Sequence, residues 1–178
     1  MKTPLHYILF AFLFFACNEQ QEFSAQVENA NPSEINFPET KVALVGNAKQ
    51  EALEWDDYKA FNVALENYNH TIDVTERMVK IVKNMRSDIL PQFDNQQIKS
   101  RLLVLESRLS RYASFLKYRT RTAQNYQEYY GDIILAMDQL NGQLNEKALI
   151  DQLENELIEE LNSDVQEIQP EPSNNSRL

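Results

Sequence analysis

The chain has 178 residues, a net charge of −10, one cysteine, two histidines and three glycines. So acidic a protein is a poor partner for nucleic acid, because that binding rests on neutralising phosphates. A lone cysteine excludes an internal disulfide and a thiolate metal cluster, the two histidines include one, His6, within the N-terminal apolar stretch and so leave His70 alone in the body of the chain, and three scattered glycines provide no phosphate-cradling loop, so no catalytic set, metal or cofactor is expected.

The first residues read as a processing signal. Lys2 gives a positive start, and Leu5 with the stretch Tyr7–Ala16 forms an apolar run. That run is shorter than the roughly 20 residues a membrane span needs and has the length of a secretory h-region. Ala16 directly precedes Cys17, and the polar residues Asn18, Glu19, Gln20, Gln21 and Glu22 follow. A small residue before cysteine at the end of such a run resembles the lipobox of bacterial lipoproteins. The resemblance covers residues 1–17 and implies cleavage between Ala16 and Cys17, a lipid on the Cys17 thiol and a membrane-anchored protein. Asn18, where Asp would favour inner-membrane retention in enteric lipoproteins, leans toward the outer membrane. An ordinary secretory signal or an uncleaved anchor are the alternatives. A lipid on Cys17 leaves no thiol nucleophile, and loss of His6 with the signal leaves His70 as the one histidine.

Residues 17–46 read as a lipidated flexible tether, with Pro32, Pro38 and no sustained periodicity. The helical domain is expected over 47–162. Tyr58, Phe61, Leu65, Tyr68, Ile72, Thr75, Val79 and Val82 step by threes and fours, so one helix is predicted over 48–89, with Asn47 as its cap. Leu90-Pro91 breaks it. Asp94 and Gln97 have capping-box spacing. A second helix is predicted over 95–141 from the seam Ile98, Leu102, Leu105, Leu109, Tyr112, Leu116, Ala123, Tyr126, Tyr130, Ile133, Met137 and Leu140. Its register continues across Arg119. Asn141-Gly142 is read as a stop. A third helix, 146–162, carries Leu149, Ile150, Leu153, Leu157 and Leu161, and residues 163–178 read as a disordered acidic tail.

The expected fold is therefore all-α: a long antiparallel helical hairpin with a shorter third helix packed at the end distal to Pro91, coiled-coil-like in character. A turn centred on Pro91 places Glu66 near Lys117, Asp73 near Arg108 or Arg111, and Arg77 near Glu106. Met78, Ile81 and Met85 widen the apolar face near the turn, so a homodimer or protein partner is expected through residues 74–110.

Among polar clusters, Glu51, Glu54, Asp56 and Asp57 suit a helix N-terminus. Glu154, Glu156, Glu159 and Glu160 read as a solvated face, and His70 as a surface residue. Phe115, Tyr118, Arg121 and Tyr129 combine the residue types enriched at interfaces and form the candidate partner surface. The function expected is that of a lipid-anchored, non-enzymatic accessory protein of the cell envelope. The alternative is a surface-exposed binder of a ligand, glycan or host protein.

Overall fold

The computed structural model describes residues 29–167, with side chains to Ser163. The signal peptide, Ala16, Cys17 and most of the expected C-terminal tail lie outside the described residues. The described residues are all-α, with no strand among them. Their helices are α1 (Gly46–Ala52), α2 (Asp56–Glu66), α3 (Ile72–Ser87), α4 (Gln96–Phe115) and α5 (Ala123–Glu167), with short 3-10 turns at Pro32–Glu34 and Pro91–Phe93. α3 packs on α4, α4 on α5, α2 on α3, and α1 on α5. No helix among the described residues is long and apolar enough to cross a membrane.

On α4 and α5 the seams read from the sequence are the core from Ile98 to Tyr112 and from Tyr126 on, whereas on α3 the buried line runs through Met78 and Met85, and Ile72 and Val79 of the expected seam are half-buried. Thr75, Met78, Val82 and Met85 of α3 are buried, as are Ile98, Leu102, Leu105, Leu109 and Tyr112 of α4. On α5 the buried seam runs Tyr126, Tyr130, Ile133, Met137, Leu140, Leu144 and Ala148. Each large apolar side chain so removed from water contributes roughly 1.5–3 kcal/mol. Met78 and Met85 are fully enclosed within the chain, so they offer no face to a second subunit.

Where the helices stop differs from the expectation. The helix expected over 48–89 is three helices. Leu53 and Glu54 make a turn after α1, and the chain breaks again between Glu66 and Ile72. At the second break the Asn67 side-chain amide donates to Val63 O (2.9 Å), and Asn69 Oδ1 accepts from the Thr71 hydroxyl at 2.8 Å. These local bonds compete with helix continuation. α1 starts at Gly46, whose φ of +50° favours glycine, so Asn47 is not its cap.

The helix expected over 95–141 is divided between Leu116 and Thr122. Thr122 Oγ1 accepts from the Asn125 backbone N–H at 3.1 Å and caps α5, while Arg121 Nη1 donates to Leu116 O at 2.8 Å and satisfies the end of α4. α5 then runs unbroken through Asn141, Gly142 and the whole of the expected third helix. Asn141 does not end it because its side chain is occupied across the core. Its Oδ1 accepts from Tyr58 Oη (2.7 Å) and its Nδ2 donates to Val42 O (2.8 Å). The cap of α4 is Asn95, whose Oδ1 accepts from Ile98 N at 2.8 Å, one residue past the expected Asp94.

The register between helices is shifted as well. Lys117 pairs with Glu76 rather than Glu66, and Arg86, rather than Arg77, pairs with Glu106. Arg108 and Arg111 both meet Asp132 on α5 instead of Asp73 (each 3.1 Å). The connection 88–95 is no tight turn: Phe93 is buried there against Trp55, ring centroids 5.8 Å apart. α4 therefore begins beyond the end of α3 and overshoots it.

Residues 29–45, expected as part of the flexible tether, form an extended strap laid parallel to α5. The strap is held from its first residues. Ala30 N donates to Arg121 O (2.9 Å), and Arg121 N donates to Asn29 Oδ1 (2.8 Å). Further on, Gln127 donates to Asn36 O. Asp138 accepts from the Lys41 and Val42 amides, and Asn145 closes a two-way clasp on Ala43 O and the Val45 amide. Ile35, Phe37 and Leu44 pack on the core beneath these clips.

Candidate functional site

Two features of this fold invite a ligand or a partner. The first is the C-terminal part of α5. Up to Ala148 its seam residues from Tyr126 on are buried, and Leu135, off the seam, is the one large apolar residue there that is exposed; beyond it Leu149, Ile150, Leu153, Leu157, Ile158 and Leu161 are between 45% and 57% exposed. At 3.6 residues per turn these six side chains sweep about half of the helix circumference. An arm of this kind, apolar on one side and bare, normally marks a contact surface. It is rooted on α1, where Glu51 lies near the i, i+4 ion pair Lys147–Asp151. Partial burial and the neighbouring Asp151 raise the Glu51 carboxyl above its ordinary value. The expected packing of residues 146–162 onto the hairpin is thus replaced by a projecting helix.

The second feature is an aromatic cluster around His70. Its φ of +56° is the one left-handed non-glycine backbone among the described residues. For a side chain with a Cβ that conformation costs on the order of 1 kcal/mol. The surroundings hold it there. The imidazole stacks on Phe37 of the strap (centroids 3.7 Å, 14°) and meets Tyr130 edge-on, and its Nδ1 is hydrogen-bonded to Tyr112 Oη at 2.8 Å. His70 is therefore half-buried and not a surface residue. Burial lowers its pKa to about 4, so the ring is neutral near pH 7. The same burial raises the phenols of Tyr68 and Tyr112 above their ordinary value. Tyr68 in turn is hydrogen-bonded to Thr75.

Beside this cluster, between strap, α2 and α5, lies an open cleft of about 600 Å³. Asn62, Glu66, Glu39 and Tyr130 are among its lining residues. His70 Nδ1 is committed to Tyr112 Oη, and the ring packs between Phe37 and Tyr130. No group of three metal-ligating side chains converges among the described residues.

The candidate surface Phe115, Tyr118, Arg121 and Tyr129 is brought together, but turned largely inward. Phe115 is buried and stacked on Tyr129 (4.6 Å, 15°), and Tyr129 carries the Arg111 guanidinium at 4.6 Å from its ring centroid. Arg121 closes the end of α4 and holds the strap, and its Nε is buried without a hydrogen-bond partner. Tyr118 alone of the four is an exposed large side chain, edge-on to Phe115 at 6.0 Å. The strap clasps were missed in the sequence reading. Their signal is the alternation Ile35, Phe37 and Val42, Leu44, with side-chain amides and an acid at 127, 138, 141 and 145 on α5.

Neither a family model, a curated protein nor a solved structure matches the chain.

Proposed function

We propose that this protein is a lipid-anchored accessory component of the bacterial cell envelope, held by Cys17 in the outer membrane and acting by docking another protein. It is read as non-enzymatic. The anchoring rests on the sequence Ala16-Cys17 behind its charged and apolar leader. The docking role rests on one observation: the six large apolar residues left bare along the arm of α5. A helix stripe of that width gains stability only when something covers it.

Two measurements test the two halves. Cys17→Ser should release the helical body into the soluble fraction without unfolding it; a variant that stays on membranes after carbonate washing overturns the anchor. A photo-crosslinking amino acid at position 153 should give a discrete protein adduct in intact cells, whereas one at the buried position 140 should not. Equal labelling at both, or none at 153, overturns the docking role.

A second reading, a ligand- or glycan-binding lipoprotein, is favoured by the cleft beside His70. It combines an aromatic wall with Asn62, Glu39 and Glu66, which suits a polar, hydroxyl-rich ligand. Quenching or enhancement of tyrosine fluorescence by added oligosaccharide, lost in Asn62→Ala, would support it.

A further inference from the structure

We infer that the occupant of the arm is a basic amphipathic helix of the partner protein. This deepens the docking reading and rests on it. The argument begins with charge. Asp151, Glu154, Glu156, Glu159 and Glu160 share the segment with the six apolar residues, and no Lys or Arg occurs from Ala148 to Ser163. Placed on a helix at about 100° per residue, Glu160 and Glu154 fall within the apolar arc toward its two edges, and Asp151 and Glu156 lie just outside those edges. A partner helix seated on Leu153 and Leu157 therefore meets a carboxylate on each flank. Lys or Arg at its own flanking positions turns both into attractive pairs, which is how flanking charges select partners in helix pairing.

The other occupants fit less well. Two arms from two copies would match in apolar area, but they would bring Glu154 and Glu160 of each copy to one seam, and facing like charges are destabilising. The exposed face of α4 in a second copy has the right sign, with Arg101, Arg108 and Arg111 beside Leu103 and Val104. It offers two apolar residues to cover six, and Asp132 already engages two of its arginines. An anionic bilayer repels the arm's carboxylates.

The test uses the full-length chain carrying Cys17→Ser, shown to be folded by circular dichroism and melting. The probe is a fluorescein-labelled 20-residue Leu/Lys amphipathic peptide, read by anisotropy. Binding is expected to weaken at least tenfold between 50 and 500 mM salt, at least tenfold in L153Q/L157Q, and severalfold in E154Q/E160Q. The melting temperature of all three proteins should agree, since these side chains pack on nothing. The inference is overturned by equal binding by L153Q/L157Q, by equal binding of a Leu/Glu peptide, or by a dimer at tens of micromolar that L153Q/L157Q dissociates. Arm-dependent sedimentation with phosphatidylglycerol vesicles also overturns it. A crosslink from position 153 to an acidic or non-helical surface keeps the docking reading and overturns the basic-helix assignment alone.

Discussion

α5 is two helices in one. From Tyr126 to Ala148 its seam is sealed by α4, by α1 and by the strap; from Leu149 to Leu161 a run of similar apolar density stands exposed. The two halves share backbone geometry and differ in what stands opposite them. Periodicity in a sequence thus identifies which face of a helix is apolar, while the chain's own topology decides whether that face becomes core or contact surface.

Core truncation separates the halves most sharply. Leu140→Ala should cost about 3 kcal/mol, from lost burial and the residual cavity, with the loss read by urea denaturation. Asn141→Ala comes next. It leaves the buried Tyr58 hydroxyl and Val42 carbonyl without their partner, a loss of about 2 kcal/mol.

His70→Asn tests the strained corner by pH. The folded pKa is about 4, below the ordinary 6.5, so the unfolded chain binds the proton first. The contribution of His70 to stability is full above pH 6.5 and is lost as pH falls through 4. The wild-type protein should lose stability over that window relative to His70→Asn, which tolerates the left-handed backbone and carries no titrating ring. Identical pH slopes in the two proteins would remove His70 from the account.

Smaller again is the strap. Asp138→Asn replaces a charged acceptor of two amides, and a loss of about 1 kcal/mol is expected, with faster hydrogen exchange at Lys41 and Val42. At the bottom stands the arm: Leu153→Gln should change stability by no more than about 0.5 kcal/mol, as exposed positions do. A loss comparable to that of Leu140→Ala would mean that the arm is packed in solution, and the contrast between the halves would fail.

What the sequence made legible follows the same division. The all-α class and the core seams rest on step-of-three-and-four patterns that many residues repeat; Arg119, read as an interruption within one helix, lies in the break between α4 and α5. Helix ends rest on single side chains. Thr122 with Asn125, and the group Asn67, Asn69 and Thr71, are short capping signals, and a continuing apolar register masks them. Asn141-Gly142 misled in the opposite direction, because a buried asparagine with cross-core partners has the same letters as a helix stop. The inter-helix register was out of reach of the local pattern. It depends on Phe93 and Trp55 filling the space past α3, which is a contact between distant parts of the chain. Of the candidate interface, residue type was legible and direction was not: Phe115 and Tyr129 stack on each other before they can meet anything else.

The strap fixes a polarity that neither the helices nor the arm would have alone. It is pinned at Asn29 to Arg121, just before α5, and runs the same way as that helix, so the chain leading back to Cys17 departs at one pole and the arm leaves at the other. Leu149 stands about 40 Å along the helix axis from Ala123. The stretch from Cys17 to Asn29 spans at most about 40 Å even when fully extended. Anchored through Cys17, the molecule would work as a standoff: its foot within reach of the lipid, its grip facing away from it.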